Sequence, residues 1–384
     1  MRTRWIQRIA VMVTAGMAAS FAAVFAFGVP FAGATTPLTP TVALSSATAG
    51  GPSTYTVGFT TVTAGATTIT LTAAAGTVFP AAAANYSVNV NSAGAVAPSA
   101  VTGGGSAAVT ITPATPLPAA ASVSVIAGVT TLVTNPTVVG SDSLAIMTSA
   151  DTTPATAGYA IAAAAAAKVV ATAGSGQSHA VGGAFATPLS ATVEDQYGNP
   201  VLTPSAQVVF TAPASGASGT FLNGTATTTV ASNGSGVATA TTYTANTTPG
   251  TYAVTAAATG LTSASFTETN VVGPASQIVA AAGGNQGVTV GALFTTPLSA
   301  TVEDQYGNPV AGNSVTFTAP ATGASGTFAN GTDTTTASSG SNGVAVASAF
   351  TANTTAGTYA VTAAATGVTP TASLSLDPPR SPMI

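Results

Sequence analysis

Short runs in which every second residue is apolar recur along most of this chain. In one of them Leu189, Ala191, Val193, Asp195 and Tyr197 share one side, and Ser190, Thr192, Glu194 and Gln196 share the other. That period of two predicts a half-buried β-strand. The segment "SVTFTAP" places Val315 and Phe317 inward and Thr316 and Thr318 outward. "GTYAVTA" does the same with Tyr252 and Val254, and again with Tyr359 and Val361. Gly, Pro and the pairs Asn223-Gly224, Asn233-Gly234 and Asn330-Gly331 punctuate the runs at turn-like intervals. No long helical pattern is evident. The six alanines Ala162–Ala167 are too few to hold a helix alone and read as a linker or strand approach.

The pattern repeats at long range. "TPLSATVEDQYGNPV" occurs at Thr187–Val201 and Thr296–Val310, "GASGTF" at Gly216–Phe221 and Gly323–Phe328, and "TYAVTAAATG" at Thr251–Gly260 and Thr358–Gly367. The offset is 109 residues before the loop that follows Val201 and 107 after it, so the length change falls in that loop, as expected of an exposed connection. A unit of roughly 100 residues built from short alternating strands has the size of an immunoglobulin-like sandwich. Residues 35–161 also alternate but match neither repeat, which predicts a first β-sandwich of another subtype. The expected division is a signal peptide at 1–34, the first sandwich at 35–161, the two repeats at 166–271 and 275–376, and a disordered tail at 377–384. The fold class is therefore all-β, with tandem immunoglobulin-like β-sandwiches in an elongated array after an N-terminal signal peptide.

Composition changes the picture in two respects. Only 4% of residues are charged, against about a quarter in ordinary globular domains, so solubility must come from Thr, Ser and Asn. This suits an extracellular protein. The start of the chain agrees. Arg2, Arg4 and Arg8 precede an apolar run from Ile9 to Phe31 and then "AGA" at Ala32–Ala34, the order of a secretory signal with cleavage after Ala34. An uncleaved membrane anchor is the alternative, since the run is long enough to span a bilayer. After cleavage, Lys168 and Arg380 are the only cations against nine carboxylates, a formal charge of −7. Without clustered Lys or Arg, nucleic acid is excluded as a partner. A membrane enters only through an uncleaved signal segment. With no Cys there is neither a disulfide framework nor a thiol for lipid attachment.

In both repeats "VEDQYGNPV" is followed in order by "VVFTAP" or "VTFTAP", "GASGTF", "GVA", "TANTT" and "TYAVTA". On this ordered set the segments Lys168–Val271 and Gln277–Leu376 resemble the bacterial Ig-like domains of the Big-1 (invasin and intimin-like) family. The resemblance implies tandem stalk modules of a bacterial surface adhesin. The sequence departs from such proteins in showing neither an outer-membrane barrel nor a cell-wall sorting motif.

Each repeat offers one site for chemistry, the adjacent carboxylates Glu194-Asp195 and Glu303-Asp304. Neighbours on a strand point to opposite faces, so the two cannot converge on one bond as a glycosidase pair must. Asp195 instead stands where a short carboxylate can accept N–H bonds from the turn Tyr197-Gly198-Asn199-Pro200. A calcium site needs six to eight oxygens, and Glu268 and Asp333 have no counterparts in the other copy. His179, the only histidine, aligns with Val288 and reads as an exposed strand-edge residue; Lys168 aligns with Gln277 and reads as a solvated domain-start residue. Tyr252 and Tyr359 resemble the tyrosine corner of Ig-like sandwiches, whose hydroxyl bonds back to the backbone. Phe185, Phe210, Phe221, Phe266, Phe294, Phe317 and Phe328 fit core positions, and Leu374 matches Phe266 across a one-residue insertion. No catalytic, cofactor-binding or metal residues are assigned, and no enzyme activity is expected. The expected function is a secreted or cell-surface structural or adhesive protein with an unidentified glycan or protein ligand. The alternative is a carbohydrate-binding protein whose first domain is the binder.

Overall fold

The computed structural model describes residues 38–202, 205–368 and 372–376. The expected signal segment and the expected disordered tail lie outside them. The described residues form β-strands and connecting turns, with one short 3-10 turn at Ala83–Asn85. No described helix is long and apolar enough to cross a membrane. The buried apolar side chains fall into three separate clusters, spanning Leu38–Ala155, Val169–Phe266 and Ile278–Leu376. The three corresponding parts of the chain are called the first, second and third units below.

The first unit faces two five-stranded sheets. One runs in the order Thr41–Leu44, Tyr55–Thr60, Ser122–Ala127, Tyr86–Val90, Ala95–Val96; the other runs Ala155–Ile161, Gly140–Thr148, Ile69–Thr72, Ala108–Thr112, Ala100–Thr102. Their inward residues include Tyr55, Ile69, Leu71, Ile111 and Val125, all fully buried. Here large side chains are concentrated, and two polar tips need partners in the dry interior. The Tyr55 hydroxyl donates to Asn135 Oδ1 at 3.0 Å and the Tyr86 hydroxyl to the Pro80 carbonyl at 2.6 Å.

The second and third units share a different plan. A three-stranded sheet, Ala166–Ala173, Ser190–Asp195, Val237–Thr239 in the second unit, packs over a larger sheet ordered Gln177–Ala180, Ala264–Val271, Gly250–Ala257, Gln207–Thr211, Thr227–Ala231. The third unit repeats both sheets, but the strand matching Gln177–Ala180 shrinks to a single parallel bridge, Gln286 to Leu376. That bridge has its counterpart in the Gln177–Glu268 pairing. It therefore equates Leu376 with Glu268 and supports the one-residue insertion. All seven Phe rings named from sequence are buried, as are Leu374 and the tyrosines Tyr252 and Tyr359. The outward faces carry hydroxyls in cross-strand pairs, such as Thr251 with Thr269 at 2.9 Å and Ser190 with Thr239 at 3.1 Å. Such pairs stabilise a sheet without charge.

Three sequence expectations need correction. His179 is half-buried, its ring edge-on to Phe185 and its Nδ1 3.0 Å from the Ala180 carbonyl, although its strand is indeed at a sheet edge. Lys168 pairs with Glu194 at 3.3 Å, and the third unit replaces this ion pair by Gln277 donating to Glu303 at 2.8 Å. The Tyr252 hydroxyl donates to a side chain, Asn270 Oδ1, at 3.0 Å rather than to backbone, and the Tyr359 hydroxyl has no partner among the described residues. Asn233-Gly234 forms a turn as read from sequence, with Asn233 Oδ1 accepting from Ser235 and Val237 and the positive φ on Gly236.

Candidate functional site: the turns between units

The Asp-Gln-Tyr-Gly-Asn-Pro turn is built as the sequence suggests. The strand Ser190–Asp195 ends with Asp195 fully buried and Glu194 on the opposite face, beside Lys168. Asp195 Oδ1 accepts the N–H groups of Tyr197 and Asn199, each at 2.9 Å, and Oδ2 accepts the Asn199 side-chain amide at 2.8 Å. Gly198 takes φ +89°, which a Cβ would disfavour. Asp304 holds Tyr306 and Asn308 in the same way, at 2.8 and 3.0 Å. Burial pushes both carboxyls up, but the donors from the turn outweigh it and hold them below the usual Asp range.

The same turns also grip the preceding unit. Asp195 Oδ2 accepts the N–H of Ala164, in the linker after the first unit, at 2.9 Å; Asp304 Oδ2 accepts that of Gly273, in the next linker, at 3.0 Å. Asn199 Nδ2 donates 2.8 Å to the Thr137 carbonyl of the first unit, and its Oδ1 receives Val139 N–H at 3.3 Å. Asn308 Nδ2 donates 2.9 Å to the Thr247 carbonyl of the second unit. The tyrosines complete the contact. A Cβ built on Gly50 would stand 2.1 Å from the Tyr197 hydroxyl, and one on Gly182 would stand 2.1 Å from that of Tyr306.

Each receiving end is made alike. Gly50, at φ +62°, donates to the Pro136 carbonyl, and the next carbonyl, Thr137, takes the visiting Asn. Gly182, at φ +76°, donates to the Asn246 carbonyl, and the next, Thr247, takes the visiting Asn. A left-handed glycine is needed twice over, for its φ and for the room it leaves the ring. These sockets could not be foreseen, since their recognising atoms are backbone.

No described group of three or more His, Cys, Asp or Glu residues is arranged to hold a metal ion. Beside the first linker lies an open cleft of about 550 Å³, lined among others by Thr48, Ala163, Val201, Gln207 and Leu261. It has no charged or aromatic lining residue. One buried acid was not foreseen as such. Glu268 is fully buried in the second core, its carboxyl oxygens have no hydrogen-bond partner among the described residues, and burial pushes its pKa up to about 7. Sequence reading also missed Gln177. Its side chain accepts Thr187 N–H and donates to the Gly174 and Thr187 carbonyls, all at 2.8 Å, a clamp that Gln286 repeats.

Fold and junctions together define an all-β protein of tandem immunoglobulin-like sandwiches held end to end by a repeated turn. No family model and no curated protein matches the chain. Among solved structures it is similar to the Escherichia coli adhesin FdeC, with 20% identity, TM-score 0.42, and coverage of 89% of this chain and 99% of that one. It is also similar to invasin, a bacterial integrin-binding protein, with 17% identity, TM-score 0.38, and coverage of 89% and 60% respectively. For Yersinia pseudotuberculosis InvD the values are 17% identity, TM-score 0.36, and coverage of 88% and 96%.

Proposed function

We propose that this chain is a non-catalytic structural or adhesive protein, exported by a signal peptide cleaved after Ala34 and displayed at the bacterial surface. Its sandwiches, residues 35–161, 166–271 and 275–376, serve as stalk modules. The observation that carries the proposal is the duplicated junction. Asp195 and Asp304, the residues most suggestive of chemistry, are spent on joining units. Serial sandwiches clasped end to end hold a terminal surface away from the cell. They also present weak contacts at high local concentration. The scarcity of charge, with hydroxyl-lined sheet faces, fits an extracellular setting.

The test is localisation in the native cell, using surface protease digestion together with fractionation of cells and medium. Protein that is accessible from outside and sized for loss of residues 1–34 is the expected result. Confinement to the cytosol overturns export, and externally accessible protein that retains residues 1–34 replaces cleavage by a membrane anchor. A glycan array probed with the full chain addresses the binding mode. Strong selective binding that is lost on altering only residues 35–161 would replace the stalk by a carbohydrate-binding protein.

A further inference from the structure

The third unit carries the receiving half of this junction as well. Gly291 matches Gly182, takes φ +80°, and donates its N–H to the Asn353 carbonyl at 3.1 Å, the same distance as Gly182 to Asn246. The loop behind it is also the same. Asn353 Nδ2 donates to Gly323 and its Oδ1 accepts Thr355 N–H, at 2.8 and 3.0 Å, as Asn246 does with Gly216 and Thr248 at 2.8 and 3.1 Å. The next carbonyl belongs to Thr354, the counterpart of Thr247, and no described group donates to it. A Cβ built on Gly291 meets no atom within 4 Å, where on Gly50 and Gly182 it meets a tyrosine. Val181 beside Gly182 is buried, whereas Val290 beside Gly291 is only half-buried.

We infer that the Gly291–Thr354 end of the third unit is an open socket for a further β-sandwich bearing an Asp-x-Tyr-Gly-Asn turn, whose Tyr covers Gly291 and whose Asn donates to the Thr354 carbonyl. The occupant is specified by the two filled sockets. They sit on units of different strand order, share the glycine and the successive carbonyls, and are both filled by this turn. The socket is thus read by its backbone, and what it selects is the turn. A second copy of this chain is not the occupant, because the turns at Tyr197 and Tyr306 are both already seated. An unmodified chain is therefore not expected to self-associate at this end.

The test extends the full chain by placing a second copy of residues 269–376 directly after Leu376, in place of 377–384. This junction keeps the register in which Leu376 matches Glu268. Backbone relaxation and residual dipolar couplings then report whether the added unit is aligned with the third. The expected result is one shared alignment, lost when Tyr306 and Asn308 are changed to Ala in the added copy only. That variant leaves the socket itself intact, so it does not depend on the third unit tolerating a substitution at Gly291. An added unit that tumbles independently while the second and third remain aligned overturns the inference. So does alignment that survives the double substitution, since the linker alone would then account for it. In the natural chain, removal of residues 377–384 is expected to leave the amide signals of Gly291 and Thr354 in place. A shift of both would show that the tail already fills the socket, and would overturn the inference as well.

Discussion

Glu268 and Tyr243 stand where the third unit has Leu376 and Phe350, so one core buries two polar tips without hydrogen-bond partners among the described residues where its sister has apolar side chains. An acid whose pKa is raised on folding binds its proton more tightly in the folded state. As pH rises from about 4.5 toward 7, unfolding therefore releases a proton and the second unit loses stability. The shift from 4.5 to about 7 corresponds to a loss on the order of 3 kcal/mol. Glu268→Leu should raise the second unit's melting temperature at pH 7 and flatten its pH dependence over that window, as read by calorimetry. An unchanged slope would mean that the carboxyl is not buried. Asp151, Asp195 and Asp304 act in the opposite sense. Burial raises each, hydrogen bonds lower it further, and the net depression gives stability that is present above about pH 4 and lost as pH falls through the folded value. The burial of Glu268 was illegible in sequence because its alternation matches that of any inward residue, and only the sister Leu marks the position as apolar.

Strands were the most legible elements, because period two assigns each face directly. Leu189, Ala191 and Val193 are buried as that period requires, and the reading fails at Thr192, which is buried although it faces the other side, and at Tyr197, where the strand has already ended at Asp195. The Ser314–Thr318 strand alternates likewise, with Val315 and Phe317 fully buried. Phe317→Ala should destabilise the third unit by about 3–5 kcal/mol, lowering its calorimetric transition while the other two stay in place. A melt that moves all three transitions together would show that the units unfold as one. Turns were legible only where the side chain acts on its own neighbours. Asp195 capping Tyr197 and Asn199 is local and was expected. The reach of Asp195 to Ala164 and of Asn199 to Thr137 was not, because it depends on where another unit places its carbonyls and N–H groups.

At the scale of the whole molecule, the junction contacts replace what a linker alone would leave free. Tyr306→Ala combined with Asn308→Ala should let the second and third units reorient independently, seen as divergent alignment in dipolar couplings. The turn is still held by Asp304, so neither unit's melting temperature should fall by more than about 1 °C for each few tenths of a kcal/mol lost. Joint reorientation in that variant would place the rigidity in the Val272–Ser276 linker instead. The order of the sandwiches followed from the repeats. Their fixed attachment did not, because Gly50, Gly182 and the carbonyls they present carry no side-chain signature.

The linkers themselves are short, four residues from Ala162 to Ala165 and five from Val272 to Ser276. At roughly 3.5 Å per residue the chain between neighbouring sandwiches spans about 20 Å at most. Tension along the array would therefore load the Asn–carbonyl and tyrosine–glycine contacts before any core. Their release would yield a small extension and a free swivel, after which each β-sandwich still bears the pull intact. Because each opened clasp stays within reach of its glycine, it re-forms when the load is removed, and the array behaves as a series of resettable mechanical links.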